Sequence, residues 1–427
     1  MMNNTVFNED IYLQCLSQEL VPAMGCTEPI AIAYASAYAR DVLGEIPERV
    51  EVHVSGNILK NVKGVIVPNT NGLKGVEAAA IIGMLGGNSK KGMEVLADVK
   101  PEHISQCADL LKNKDICSVH LLSSQAKLHI VLKVYNGDMS ALVEIIHTHT
   151  NIIRVEKDGN VVGAKTCIEE ENTDNQNQGC NMTLQGIYDF ATNVSLEKIE
   201  PVIKRQIDCN LSIAKEGLLN NYGLSVGKTM LEALGDSPEV EASAYAAAAS
   251  DARMGGCTMP VVINSGSGNQ GATVSLPVIV YAKRLNCSEE KLLRALTLSN
   301  LIALYQKAKI GRLSAYCGAV SAACGSGSGI AYLQGASLEC IGWTIKNTLA
   351  NVAGMVCDGA KASCAAKIFS SVQAALLGYK LASSGKVVQG GDGIILDDID
   401  STVDNYGKLA HDGMYETDQK ILELMIS

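Results

Sequence analysis

Runs of very small side chains constrain this chain more than any other feature. AIAYASAYA, AAAIIGMLGG, VEASAYAAAASDAR and SAACGSGSG are built mostly from Ala, Gly and Ser. Such side chains let helix backbones approach closely, so the runs predict buried helices packed at short range. Aromatic residues make up 4% of the chain, with three Phe and one Trp. The core must therefore come mainly from Ala, Val, Ile, Leu and Met. At 427 residues the chain exceeds a single ordinary core and predicts two or three domains. None of the apolar runs reaches the ~18 residues that would make a membrane span.

Periodicity divides the chain. Residues 8–21 have helical spacing, and a second helix runs from Pro29, with Gly44 near its end. RVEVHVSGNI alternates valine with polar residues and predicts a strand. Residues 116–163 carry strand-like runs around the turns YNGD and KDGN, and are expected to form a small inserted sheet unit. The polar, turn-rich stretch 167–183 reads as a surface linker and the main boundary. From 184 onward the pattern is mostly helical, including KLLRALTLSNLIALYQKAKI. The expected class is α+β: residues 1–183 form an N-terminal region with a small mixed α/β sheet unit, and residues 184–427 a mainly helical domain. The tail from 398 is expected to return and cap a neighbour. MGCTEPI (24–30) is echoed by GGCTMPV (255–261), each followed by an Asn- and Gly-rich turn. Duplication and coincidence both remain open on sequence.

The charge balance is 35 Lys and Arg against 45 Asp and Glu, a net −10. With no basic cluster interleaved with aromatics, nucleic acid is an unsuitable partner. The start, MMNNTVFNEDIYLQCL, does not read as a signal peptide. A cytoplasmic location is therefore expected, and most of the fourteen cysteines should be free thiols. The expected ligand is a small metabolite.

There are seven histidines. His147 and His149, in HTHT, would share one face of a strand, with no third ligand nearby. HExxH, GxSxG and GxxxxGK[ST] are absent. Glycine, asparagine, serine and cysteine remain. NSGSGNQG (264–271) can turn successive backbone N–H groups toward one point ahead of a helix, a nest suited to a carboxylate; a tight turn is the plain alternative. PNTNG (68–72), with Lys74 behind it, is a weaker version. Cys317 and Cys324 lie seven apart, as do Cys357 and Cys364. Thiolates are preferred iron–sulfur ligands, but this spacing equally suits packing between helices. Asp358, Lys361 and Ser363 follow Cys357 closely, and polar groups are costly to bury without partners. Cys26 precedes a helix start, where first-turn N–H groups would favour the thiolate; it is a base, a nucleophile, a ligand or simple packing.

Taken in order, MGCTEPIAIA, VPNTNGLKG, NSGSGNQG, CGAVSAACGSGSG and GMVCDGAKASCAAK span residues 24–368. This set resembles the serine dehydratase-like family that includes iron–sulfur L-cysteine desulfidases, and more distantly the oxygen-sensitive L-serine dehydratases. The resemblance implies a serine dehydratase alpha-like helical domain and a 4Fe–4S cluster on three cysteines, with one iron open to substrate. Cys317, in AYCGAVSAACGSG, and Cys357, in AGMVCDGA, match the first two ligands. Cys364 is the available third, at a shorter separation than in the serine dehydratases, and Cys324 is its rival. The dehydratases' Ser-His-Thr stretch resembles Gly25-Cys26-Thr27 before Glu28 and Pro29; its histidine is missing here, which leans away from serine. The implied reaction is β-elimination of L-cysteine to pyruvate, ammonia and hydrogen sulfide. L-Serine dehydration, a non-catalytic metabolite-binding or redox-sensing role and a zinc enzyme are the alternatives. Within this reading Cys26, as thiolate, takes the α-proton, and Thr27, Asn264, Ser265, Gly266 and Asn269 hold the substrate. Asn69, Thr70 and Asn71 shape the pocket, and Lys361 orients the substrate or neutralises charge. Pyridoxal phosphate is not required, and a homodimer is the prior expectation.

Overall fold

Helix α1 (Glu9–Glu19) and the short strand β1 (Pro22–Met24) open the chain in the computed structural model, which describes residues 9–124, 126–164, 182–311 and 314–426. The first small-residue run forms α2 (Thr27–Leu43), closed by Gly44 in the left-handed conformation. The alternating valines form β2 (Arg49–Val54), followed by α3 (Gly56–Val62), α4 (Gly75–Gly86) and α5 (Pro101–Leu110). Strands β3 (Cys117–Leu121), β4 (His129–Asn136), β5 (Met139–Ile146), β6 (Ile152–Lys157) and β7 (Asn160–Ala164) complete a sheet of order β3-β2-β4-β5-β6-β7. Val50, Val52 and Val54 pair across to Val134, Leu132 and Ile130, and all are buried on the face covered by α2 and α4. Period-two alternation thus decides which face is core.

The sheet is not an insert confined to 116–163. β2 lies inside it, parallel to β3 and antiparallel to β4. A parallel pair needs a long crossover, and α3 to α5 supply it.

The second body is helical: α6 (Leu184–Asn193), α7 (Leu196–Leu219), α8 (Val226–Leu234) and α9 (Pro238–Met254), then strand β8 (Pro260–Val262), α10 (Gly268–Arg284), α11 (Glu289–Ile310), α12 (Gly318–Leu333), α13 (Leu338–Val352), α14 (Cys364–Ser383), α15 (Ile399–Lys408) and α16 (Tyr415–Ile426). The chain ends cross over. Tyr12, Leu16 and Leu20 are buried in the core of the helical body, so α1 departs from a division at residue 183. Conversely α16 returns to the first body, with Leu422 against Gly56 of α3. Most of the expected linker, residues 165–181, lies outside the described residues. Among the described residues no helix is long and apolar enough to cross a membrane.

The small residues set the spacing. A Cβ on Gly217 of α7 would stand 2.0 Å from the carbonyl oxygen of Ala248 on α9. Backbone cannot yield as a side chain can, so Gly217→Ala should cost about 1–3 kcal/mol through forced separation of the two helices. Thermal melts should show a lowered transition. Gly64→Ala, which meets nothing within 4 Å, should leave it in place.

Candidate active site

β1 pairs antiparallel with β8, with Met24 opposite Pro260. This ladder sets Gly25-Cys26-Thr27 beside the 264–271 loop, and Thr27 Oγ1 donates to the Gly266 carbonyl at 3.0 Å. The two echoed stretches therefore meet in space. A cavity of about 130 Å³ lies between the two bodies at this junction. It is several times one water's ~30 Å³ share of liquid volume, so it is a ligand-sized chamber, not a packing defect.

Gly25 has φ +52, and a Cβ there would run into Pro68. The PNTNG turn thus buttresses the entry to α2, and its polar side chains are spent on the turn itself. Asn69 Nδ2 donates to Leu96 O at 3.0 Å and Val99 O at 3.3 Å. Thr70 Oγ1 donates to Val67 O at 2.6 Å, and Asn71 is exposed at the tip. Contrary to expectation, these three side chains do not line the chamber.

Cys317, Cys357 and Cys364 all line it. Tyr316 and Val356 form an antiparallel bridge, with Cys317 N donating to Met355 O at 3.0 Å and Cys357 N to Ala315 O at 2.6 Å. Backbone pairing thus joins cysteines that are forty residues apart in the chain. Cys364 opens α14 on the same wall. Burial, then the neighbouring Cys357, pushes the Cys317 thiol up to about 12. Burial and Cys357 also raise Cys364. Cys324 lies two turns into α12, fully buried, and does not line the chamber. Burial raises it to about 12. Cys364, and not Cys324, is thus the thiol that shares this wall with Cys317 and Cys357.

Among the described residues no three His, Cys, Asp or Glu side chains stand as a ready cage for a single ion. A four-iron cluster is a larger body and holds its sulfurs apart, so the relevant fit is three thiols facing one chamber. The surroundings suit an anionic, thiolate-bound group. α2, α10, α12 and α14 all begin at this wall, presenting the positive ends of their dipoles. Lys367, one turn after Cys364, also lines the chamber, and its Nζ contacts Asp358 Oδ1 at 2.6 Å. Burial works against the lysinium, but Asp358 and the nearby Cys317 and Cys357 raise its pKa. Burial opposes the Asp358 carboxylate too, yet Lys361 and Lys367 hold it down to about 2. Lys361 itself pairs with Asp358 and does not line the chamber, so Lys367 has the position expected of Lys361. Lys60, from α3, reaches Cys357 O at 3.5 Å and pairs with Asp418 of α16.

Cys26 is the N-cap of α2, as expected, but it is not set up as a thiolate. Burial first, and the Glu28 carboxylate next, raise its pKa well above the ordinary thiol value. Its Sγ donates to Glu28 Oε2 at 3.0 Å. Glu28 also accepts from Thr27 Oγ1 at 3.1 Å and, on Oε1, from Asn61 Nδ2 at 3.1 Å. The stretch that named Cys26 contained Glu28 as well, and sequence reasoning passed over it.

In the 264–271 loop, Ser265 and Gly266 have φ of 52° and 74°, and Ser265, Gly266 and Asn269 line the chamber. Asn264 stands behind them, fully buried, donating to Asn300 Oδ1 at 3.0 Å and accepting from Ser265 Oγ at 3.1 Å. It is a scaffold for the loop and not part of the lining. Sequence reasoning missed Arg253, Gln270 and Lys307, all of which line the chamber. The expected strand position of His147 and His149 is also wrong: β5 ends at Ile146, His147 has φ 67°, and both side chains line the chamber from the turn.

Residues 90–423 match the model of the serine dehydratase alpha chain family. The chain is 52% identical to a UPF0597 protein of Lachnoclostridium phytofermentans, over 97% of this chain and 99% of that one. It is 47% identical to UPF0597 proteins of Treponema denticola and Desulfitobacterium hafniense, over 97% of this chain and 97% and 96% of theirs. With a family match over most of its length and relatives this similar from end to end, the chain belongs to the serine dehydratase alpha chain family, in its UPF0597 group.

Proposed function

We propose that this protein is an iron–sulfur-dependent carbon–sulfur lyase that converts L-cysteine and water to pyruvate, ammonia and hydrogen sulfide. The supporting observation is the meeting of Cys317, Cys357 and Cys364 with Glu28 and the glycine loop in one chamber. Three thiolates would hold a 4Fe–4S cluster whose open iron supplies a Lewis acid for the β-substituent. The rest of the reaction falls to the chain. Ser265, Gly266 and the first turn of α10 face the bound substrate, and the positive helix end favours its carboxylate. Cys26 Sγ accepts the α-proton as its own proton passes to Glu28 Oε2 along their hydrogen bond. Glu28 is thus the terminal base, positioned by Asn61 and Thr27. The Cα–H electron pair forms the Cα–Cβ double bond, and the sulfide departs with the pair from the Cβ–S bond. The resulting enamine tautomerises and is hydrolysed by water.

L-Serine fits the same arrangement with hydroxide as the leaving group, and is the second reading. The deciding assay is anaerobic. Reconstituted protein is given L-cysteine or L-serine, and pyruvate, ammonia and sulfide are followed. Equal yields of pyruvate and sulfide from L-cysteine, with the larger kcat/KM for that substrate, are expected. Loaded protein that forms pyruvate from neither amino acid would overturn the reading.

A further inference from the structure

Buried polar atoms without a partner among the described residues on chamber-lining side chains include Asn57 Oδ1, Tyr316 OH, Arg253 Nε and Gln270 Oε1, and the last two stand together on the adjoining helices α9 and α10. Both side chains line the chamber, at 2% and 6% exposure. Arg253, on the last turn of α9, uses its other nitrogens on Asn269 Oδ1 and the Gly25 carbonyl, which fixes its guanidinium. An unpaired buried donor on a cation is costly, as is an unpaired buried carbonyl, so each marks a place where a ligand group would be gained.

The backbone makes room for both side chains. A Cβ on Gly268, the first residue of α10, would fall 2.4 Å from Arg253 Cζ. A Cβ on Gly318, the residue after Cys317, would fall 2.5 Å from Gln270 Cδ. The guanidinium therefore lies against the start of α10, whose first-turn N–H groups lack acceptors within the helix, that of Gln270 being capped by Ser267 Oγ. The carboxamide lies against the start of α12, beside the thiol wall. One end of this arrangement is a cation and a helix N-terminus, suited to an anion. The other presents a carbonyl acceptor, suited to an N–H donor. A free α-amino acid carries both complements on one carbon.

We infer that Arg253, with the first turn of α10, binds the α-carboxylate of a free L-α-amino acid, and that Gln270 Oε1 accepts from its α-ammonium. This deepens the lyase reading and rests on it for the chemistry after binding. Holding the head group here leaves the β-carbon to face the thiols next to Gln270. Arg253 and Gln270 are binding residues, and amino acids with a blocked carboxyl or amino group bind more weakly.

The test uses L-alanine, which has the head group but no leaving group, titrated calorimetrically into anaerobic reconstituted protein beside L-alaninamide and N-acetyl-L-alanine. L-Alanine should bind, with each blocked analogue weaker by about 10- to 100-fold, the cost of a lost charged hydrogen bond. Arg253→Met should weaken L-alanine by a similar factor while leaving L-alaninamide unchanged. Gln270→Leu should erase the preference over N-acetyl-L-alanine. A guanidinium serving only as a structural counter-charge for Glu28 would not discriminate acid from amide, so the wild-type comparison decides even if a variant fails to fold. Equal binding of acid and amide, or no binding of L-alanine, overturns the proposal. Carboxylate-dependent binding without turnover of L-cysteine or L-serine would keep this receptor and remove the lyase reading. Turnover that ignores the carboxylate would do the reverse.

Discussion

Replacing Cys317, Cys357 or Cys364 singly with Ala should abolish cluster absorbance and lyase turnover together. Each thiol lines the chamber, and the first two are joined by backbone pairing that a side-chain truncation leaves intact. The loss is therefore expected in folded protein, with an unchanged far-ultraviolet circular dichroism spectrum. Cys324→Ala is the matched control. Its sulfur is buried in α12 away from the chamber, so absorbance and turnover should persist with at most a modest fall in melting temperature. A Cys324 variant that loses its cluster, or a Cys364 variant that keeps both cluster and turnover, would reverse the ligand assignment. Anaerobic reconstitution with visible spectroscopy and a pyruvate assay distinguishes these outcomes.

Glu28→Gln should separate chemistry from cofactor binding. The amide can retain contacts with Thr27 and Asn61 but cannot accept a proton at neutral pH. A loss of about 10²- to 10⁴-fold in kcat is expected, the usual contribution of a positioned base. Iron and sulfide content should be unchanged. Cys26→Ala should lower kcat comparably by breaking the path between substrate and carboxylate. The elevated thiol pKa fixes the pH behaviour: Cys26 stays protonated at neutral pH and hands its proton on, so no rise in rate should track the titration of an ordinary thiol between pH 7 and 9. Full activity of Glu28→Gln, or a rate that climbs through that range in wild type and not in Cys26→Ala, would return the role to a free Cys26 thiolate.

The elements were legible where local pattern dictates structure. The alternating valines of β2, the Pro29 to Gly44 helix and the small-residue helices of the second body follow from periodicity and capping alone. The sheet's extent was not legible, because the parallel pairing of β2 with β3 joins residues 50–54 to 117–121, and no local signal encodes that pairing. Cys317, Cys357 and Cys364 were visible as cysteines in unusual contexts, but that Cys364 and not Cys324 lines the chamber needed the helix phase that buries Cys324. Arg253 precedes an echoed stretch already singled out, yet nothing local says that its guanidinium crosses to Gly25 and Asn269. Cys26 misled for a physical reason: a helix N-terminus lowers a thiol pKa when the site is solvated, whereas here burial and Glu28 outweigh it. Lys367 could have been found, since it shares a helix face with Cys364 at i,i+3, but Lys361 stood closer to Cys357 in sequence.

Three thiols presenting an open iron to an amino acid are the centre of the proposed mechanism. Mössbauer spectroscopy of anaerobic protein reconstituted with ⁵⁷Fe reads this directly. About one iron in four should be distinct from the rest, and its signal alone should shift when L-cysteine, which carries the β-thiol the open iron would take, is added and the sample is frozen at once. Equivalent irons that ignore the amino acid, or protein that takes up iron without acid-labile sulfide, would contradict it.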